Sequence, residues 1–361
     1  MRVGITSPYL DTLAGGERYL LTVAECLSRE HRVDIFWDDP LLREKANKRL
    51  AIDLFRTTIV PNIFSGNTQL FNKLSRTRKY DVIFFLSDGS IPFSFARRNV
   101  LHFQRPFPSV AGKTFMNRIK LSRFQAVICN SKFTKRWIDR RYGTDALVVY
   151  PPVDIDQFIS PDKSAQHNIE KEKLILSVGR FHPFKKHEVM IEAFIQLQQK
   201  IRGWRLCIAG GLMEENRQYF GRLENMARNT TITLLKNESA DNLKMLYKKA
   251  SLYWHAAGYG EDPKIYPEAM EHFGITTVES MAAGCIPLVY AGGGQKEIVR
   301  DNRDGYLWKT TDELIQRTEH IINNDKIAKN MRAAAKERSK LFSRERFCDE
   351  IIQLVSNSTA L

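Results

Sequence analysis

The chain has 361 residues, of which 43% are hydrophobic, 11% aromatic and 27% charged. At roughly 150 residues per domain this length gives two to three domains with sizeable cores, and the composition excludes a small module, a disordered chain and the collagen-like or disulfide-scaffold classes. Lys and Arg number 55 against 41 Asp and Glu, and the resulting net charge of +14 points to phosphates, nucleic acid or an anionic membrane surface.

Along the chain, short β-branched runs alternate with longer amphipathic stretches, the pattern of parallel α/β domains. Strands are predicted at residues 3–6, 33–36, 82–85, 100–103, 126–130 and 147–150. After Pro151-Pro152 a polar stretch over 160–173 lacks periodicity and reads as a linker. The alternation restarts with strands at 174–179, 206–210, 231–235, 252–256 and 286–290, and a helix over 240–249. From Thr311 onward the pattern is helical, and over 344–355 it places Phe347, Ile351, Ile352 and Val355 on one stripe. Two doubly wound domains are expected, residues 1–160 and 171–340, with ligand sites at the carboxyl ends of both sheets and chemistry in the cleft between them.

Five scattered cysteines (Cys26, Cys129, Cys207, Cys285, Cys348), odd in number and without C-x-x-C, predict neither a disulfide framework nor a zinc site, and favour a reducing compartment. The N-terminus has no apolar signal region and no window of about 20 apolar residues could span a bilayer, so a cytosolic or peripheral protein is expected.

Three constellations carry chemistry. Gly15-Gly16, at the entrance of a predicted helix after the first strand, lets backbone N–H groups and the helix dipole meet a phosphate; a turn that needs a positive φ is the plainer alternative. No G-x-G-x-x-G is present for a dinucleotide. At the end of the strand 174–179, Arg180 and the Lys185-Lys186 pair suit a pyrophosphate, the alternative being a solvated basic loop. The densest stretch runs from Glu271 through His272, Phe273, Gly274 and Ile275 to Glu279. There Thr276 and Glu279 fit a capping box, with Gly284 ending the helix, while two carboxylates beside an anion site also suit sugar and ribose hydroxyls.

The ordered set GGE near the N-terminus, GRF and KK, EHFGITTVE, SMAAGCIPLV and GGGQKEIV resembles the retaining GT-B glycosyltransferases of family GT4. Within that family it is closest in motif to the mannosyltransferases that extend lipid-linked oligosaccharides and to their bacterial relatives. The resemblance covers nearly the whole chain. It implies an α/β GT-B fold of two Rossmann-like domains, with residues 341–361 as a helix crossing back to the first domain.

By matching position, Gly15 and Gly16 would approach the donor phosphates, and Arg180 with Lys185, or Lys186 in its place, would neutralise the diphosphate. Glu271 would contact the donor sugar, the backbone of Phe273, Gly274 and Ile275 would lie against sugar and phosphate, and Glu279 would bind the ribose. His102, at the end of a first-domain strand, matches the family's cleft histidine; a lone histidine is more often structural. Gln104-Arg105 stand where relatives often carry a shorter H-x-P. The implied activity is metal-independent, retaining transfer of a hexose from a nucleotide diphosphate sugar to a glycan or lipid-linked acceptor, GDP-mannose being favoured over UDP-sugars and no cofactor being needed. Asp38-Asp39 lacks the spacing of a D-x-D metal site and reads as turn residues.

Between Arg97 and Arg141, twelve basic residues stand against one acidic residue, so +11 of the +14 is local. Arg105, Lys113, Arg118, Lys120 and Arg123 alternate there with Phe107, Phe115, Met116 and Ile119, as on an interfacial amphipathic surface, so an anionic membrane face beside the acceptor is expected. No nucleic-acid-binding signature accompanies the charge. Competing readings are a sugar-nucleotide epimerase on the same architecture and a non-catalytic protein binding anionic lipid or nucleic acid.

Overall fold

The computed structural model describes residues 1–12, 15–65, 69–159 and 170–356. The chain divides into two compact units, Met1–Pro152 with the segment from Arg344 onward, and Val153–Ser343. The division falls between Pro152 and Val153 and again between Ser343 and Arg344. Most of the stretch read as a linker, 160–169, lies outside the described residues; Glu172 and Lys173, read as part of that linker, instead open a strand.

In the first unit seven strands, β1 (Arg2–Thr6), β2 (Arg32–Phe36), β3 (Thr57–Val60), β4 (Val82–Leu86), β5 (Arg98–Phe103), β6 (Ala126–Cys129) and β7 (Leu147–Val148), form one sheet in the order β3-β2-β1-β4-β5-β6-β7. All pairings are parallel. A parallel sheet is covered on both faces, so its central strands carry continuous apolar runs. In β4, Val-Ile-Phe-Phe-Leu is buried throughout. Val82, Phe84 and Leu86 join one core with helix Gly15–Leu27, while Ile83 and Phe85 join Leu101, Phe103 and Tyr142 in another.

The terminal helix, Arg344–Ser356, packs against helix Gly15–Leu27, burying Phe347, Ile351 and Val355. Arg98 donates to the Val355 carbonyl at 2.7 Å. A disulfide joins Cys26 to Cys348 between these two helices, which corrects the expectation of no disulfide. Residues 322 apart in sequence meet because the last helix returns to the first unit, a juxtaposition that cysteine spacing does not encode.

The second unit has six strands, β8 (Glu172–Val178), β9 (Arg205–Gly210), β10 (Ile232–Lys236), β11 (Ala250–His255), β12 (Ile286–Tyr290) and β13 (Tyr306–Trp308), in the order β10-β9-β8-β11-β12-β13. Again every pairing is parallel. Its core sets Leu206, Ile208, Trp254, Leu288 and Trp308 against the helices His187–Leu197, which contributes Phe194, and Thr311–Ile322. In both sheets the strand order reverses once, between β1 and β4 and between β8 and β11. Beyond the carboxyl ends of strands at such a switch point, loops diverge and leave room for a ligand.

Candidate functional site

The switch point of the second sheet collects the titratable groups. Past the end of β8, residues Pro183–Lys185 form a single tight turn capped by His182, whose Nδ1 accepts from the Phe184 N–H at 3.2 Å. Lys186 follows at φ 54°, a left-handed conformation uncommon for a side chain larger than glycine, and helix His187–Leu197 begins there. The kink sends the two lysines to different partners. Lys185 Nζ donates to Glu271 Oε2 at 2.5 Å, and Lys186 Nζ to Glu261 Oε1 at 2.7 Å. His255, the last residue of β11, lies 2.9 Å from the same Glu271 oxygen through Nε2.

Burial raises the Glu271 pKa, but the Lys185 charge and the His255 contact outweigh it, so the carboxyl is held well below its usual range. Burial pushes the His255 pKa down, with Glu271 opposing the shift. Arg180 is exposed beside this cluster in sequence, and among the described residues no carboxylate pairs with it. Its carbonyl lies 3.1 Å from Nε2 of His187, a ring whose pKa burial lowers to about 3.

Glu271 is fixed by glycines. After β12, the Gly292-Gly293-Gly294 turn runs against the strand of chain that carries Glu271. Gly294 N–H donates to the Glu271 carbonyl at 2.7 Å, and a Cβ on Gly293, at φ 55°, would stand 2.1 Å from that same oxygen. Gln295 then donates to Thr277 at 3.0 Å. Gly274, at φ 123°, precedes helix Ile275–Ala282 as its N-cap. This corrects the capping-box reading: Thr276 lies inside the helix, where its hydroxyl accepts from Tyr253 at 2.8 Å, and Glu279 accepts from the Tyr247 hydroxyl at 3.0 Å. Gly284 does follow the helix in a left-handed conformation, φ 81°. Phe273 is buried, edge-on to Phe342 at 5.5 Å.

Thus Lys185, Glu271, Phe273, Gly274, Ile275 and Glu279 share one region of the second unit, with Lys186 tied to Glu261 at its margin. Sequence reasoning missed His255 and Glu261. The signal for His255 was present, since a titratable residue stood one place before the carboxyl end of the predicted strand 252–256; nothing in the sequence singles out Glu261 from the other acidic loop residues.

In the first unit, Gly15 and Gly16 open helix Gly15–Leu27; Leu13 and Ala14 before them lie outside the described residues. Gly16 is covered by Gln104, whose Oε1 would stand 1.9 Å from a Cβ there, so the glycine makes room for a side chain of its own unit. His102 is buried and stacks on Tyr19, ring centroids 3.9 Å apart. Burial lowers its pKa to about 3, the Ile128 backbone opposing the shift, and among the described residues neither ring nitrogen has a partner at hydrogen-bonding geometry.

Arg105, Lys113, Arg118 and Arg123 are exposed and Lys120 half-buried; Arg105 stands over the Phe107 ring at 4.9 Å. Asp38 and Asp39 accept backbone N–H groups of Asn62 and Leu41, and Asp39 also pairs with Lys45. Among the described residues no group of three or more His, Cys, Asp or Glu is placed to hold a metal.

Two all-parallel Rossmann-like units in one chain, with a cation–carboxylate cluster at the second switch point, define the GT-B class of glycosyltransferases. The chain belongs to family GT4: the model for Glycosyltransferase Family 4 matches residues 13–157 and that for Glycosyl transferases group 1 matches 160–338. It is similar to the GDP-Man:Man(3)GlcNAc(2)-PP-Dol alpha-1,2-mannosyltransferase of Dictyostelium discoideum, 28% identical over 229 residues, which is 60% of this chain and 43% of that protein. The chain therefore spans about two fifths of the length of these eukaryotic relatives. It also resembles, at 24% identity over 95% of both chains, the Campylobacter jejuni GalNAc-alpha-(1->4)-GalNAc-alpha-(1->3)-diNAcBac-PP-undecaprenol alpha-1,4-N-acetyl-D-galactosaminyltransferase. Among solved structures, the Anabaena protein HepE in complex with UDP superposes over 99% of this chain and 100% of its own, with a TM-score of 0.75 at 17% identity.

Proposed function

We propose that the protein transfers a hexose with retention, and without a metal, from a nucleotide diphosphate sugar to a glycan or lipid-linked acceptor. The observation that carries this is the Lys185–Glu271–His255 cluster at the switch point of the second sheet. In this reading, donor binding exchanges the Lys185–Glu271 contact for one between Lys185 and the diphosphate, and frees Glu271 to accept from a sugar hydroxyl.

The bond between the anomeric carbon and the diphosphate oxygen breaks as the acceptor oxygen bonds to that carbon. The acceptor proton passes to the departing phosphate. Negative charge grows on the diphosphate, and in this reading Lys185 and Arg180 neutralise it; removing one such donor typically costs ~3 to 4 kcal/mol of barrier. Glu279, held by Tyr247, takes the ribose hydroxyls. In this reading the first unit serves the acceptor, and His102, matched to the family's cleft histidine, belongs near the transferred sugar. The names of the relatives favour GDP-mannose and a polyprenol-linked acceptor, with UDP-sugars as the second choice.

The helix Phe115–Leu121 supports a peripheral membrane location. None of its residues is buried, and Phe115, Met116 and Ile119 are 78%, 56% and 41% exposed among Lys113, Arg118, Lys120 and Arg123. Among the described residues no helix is long and apolar enough to cross a membrane.

Thermal-shift screening against GDP-, UDP- and dTDP-sugars tests the donor, because a ligand at 100 times Kd stabilises by about 2.7 kcal/mol. One sugar nucleotide is expected to raise the midpoint, and a flat response to all of them contradicts the reading.

A further inference from the structure

The amino-terminal edge of the first sheet holds a cavity of about 560 Å3. Its walls are residues that lead into the four adjacent parallel strands β1, β4, β5 and β6, among them Met1, Asp81, Arg97, Arg98, Ser122 and Arg123. This is the end of the sheet opposite to the one where Gly16 and His102 lie, so the cavity belongs to no part of the site described above.

Three arginines line it against one carboxylate, and the contacts divide them. Arg98 is engaged, donating to the Val355 carbonyl at 2.7 Å, and Asp81 accepts the Arg2 backbone N–H at 2.7 Å. Arg97 and Arg123 are exposed, and among the described residues neither forms an ion pair. Arg97 and Arg123 thus line one cavity without an ion pair of their own, and guanidinium groups suit the oxygens of a phosphate.

The helix that runs into this wall identifies the carrier of the phosphate. The Ser122 hydroxyl donates to the Ile119 carbonyl at 2.8 Å, so the exposed Ile119 sits one turn from the cavity, with Met116 and Phe115 further along the same unburied helix. A free phosphate has no use for these apolar side chains, whereas a lipid offers a phosphate and an acyl boundary together. We propose that the cavity binds the headgroup phosphate of an anionic phospholipid while Phe115, Met116 and Ile119 enter the adjoining interface. The proposal rests on the membrane reading above and adds to it a defined headgroup site.

The test compares cosedimentation of the full chain with phosphatidylcholine vesicles with and without phosphatidylglycerol, for the unaltered protein and two double variants. Arg97→Ala/Arg123→Ala removes the two unpaired forks. Arg118→Ala/Lys120→Ala removes the same charge outside the cavity. The cavity variant is expected to lose at least roughly tenfold in partitioning to the anionic vesicles, and to lose at least about threefold more than the control. Unchanged circular dichroism and thermal midpoints of both variants establish that they fold.

Equal losses in the two variants overturn the headgroup site and leave surface docking standing, whereas no binding of the unaltered chain to either vesicle overturns both. A thermal shift by inorganic phosphate that Arg97→Ala/Arg123→Ala abolishes, in a chain that ignores vesicles, overturns the lipid as the source.

Discussion

Glu271 is the residue on which the site turns. Its largely buried carboxylate stays ionised because Lys185 and His255 share one of its oxygens. Replacing it by glutamine keeps the shape and removes the charge. Glu271→Gln is expected to lower turnover at least a hundredfold while the protein still binds a nucleoside diphosphate in a thermal-shift assay; near-normal turnover would remove Glu271 from the reaction. Arg180→Ala, at an exposed position, is expected to lose a similar factor with no change in thermal midpoint.

His102 carries a second prediction at this scale. Its pKa is about 3 in the folded protein and near 6.5 unfolded. The unfolded chain therefore binds the extra proton throughout that window, so the histidine's contribution is fully present above about pH 6.5 and is lost as pH falls toward 3, at ~1.4 kcal/mol per pH unit. His102→Phe preserves the stack on Tyr19 and is expected to flatten the pH dependence of unfolding between about pH 4 and 6.5; an unchanged slope contradicts a neutral, buried His102. Burial was the part invisible in the sequence, where Leu101-His102-Phe103 gives the residue a strand but not its surroundings.

At the scale of elements, glycines decide what can stand where. Gly293→Ala places a Cβ 2.1 Å from a backbone oxygen, at φ 55°, with nothing free to move. A loss of at least ~2 kcal/mol is expected, together with lower turnover as Glu271 shifts. Gly16→Ala meets the far end of Gln104 instead, which can rotate away, and less than ~1 kcal/mol is expected. Denaturant unfolding of the two variants checks the ranking, and a Gly16 variant as unstable as the Gly293 one refutes it.

The central strands were legible because burial on both faces demands unbroken apolar runs, as in Val82–Leu86. The two strands absent from the sequence reading, β3 (Thr57–Val60) and β13 (Tyr306–Trp308), are sheet edges of four and three residues. Such strands are held by one neighbour and leave little periodicity. The helix 240–249 was legible for the opposite reason: Ser239 caps it through the Asn242 N–H and the apolar spacing is regular. The capping box failed because Thr276-x-x-Glu279 also occurs inside a helix whose start is set by the backbone of Gly274.

For the whole molecule, the sequence conveyed the two α/β units and most of the residues gathered at the second switch point. The family resemblance carried the return of the last helix to the first domain, but cysteine spacing did not pair the two residues that meet in the contact between the first and last helices. That contact carries the Cys26–Cys348 bond, and cross-links closing long loops constrain the unfolded chain by roughly 2 to 5 kcal/mol. Reductant, or Cys348→Ser, is expected to lower the unfolding midpoint of the first unit. Coincident curves with and without reductant would show that the bond contributes nothing.

The net charge of +14 is likewise a local matter, most of it lying between Arg97 and Arg141. It surrounds the exposed helix Phe115–Leu121 in the sequence of the first unit.

Release of nucleoside diphosphate from a panel of GDP-, UDP- and dTDP-sugars, in the presence of EDTA and with the Glu271→Gln variant alongside, tests glycosyl transfer most directly. One donor is expected to yield diphosphate and free or transferred sugar without metal, with the variant at least a hundredfold slower. A C2-epimerised sugar nucleotide without diphosphate release, or equal release by both proteins, would contradict it.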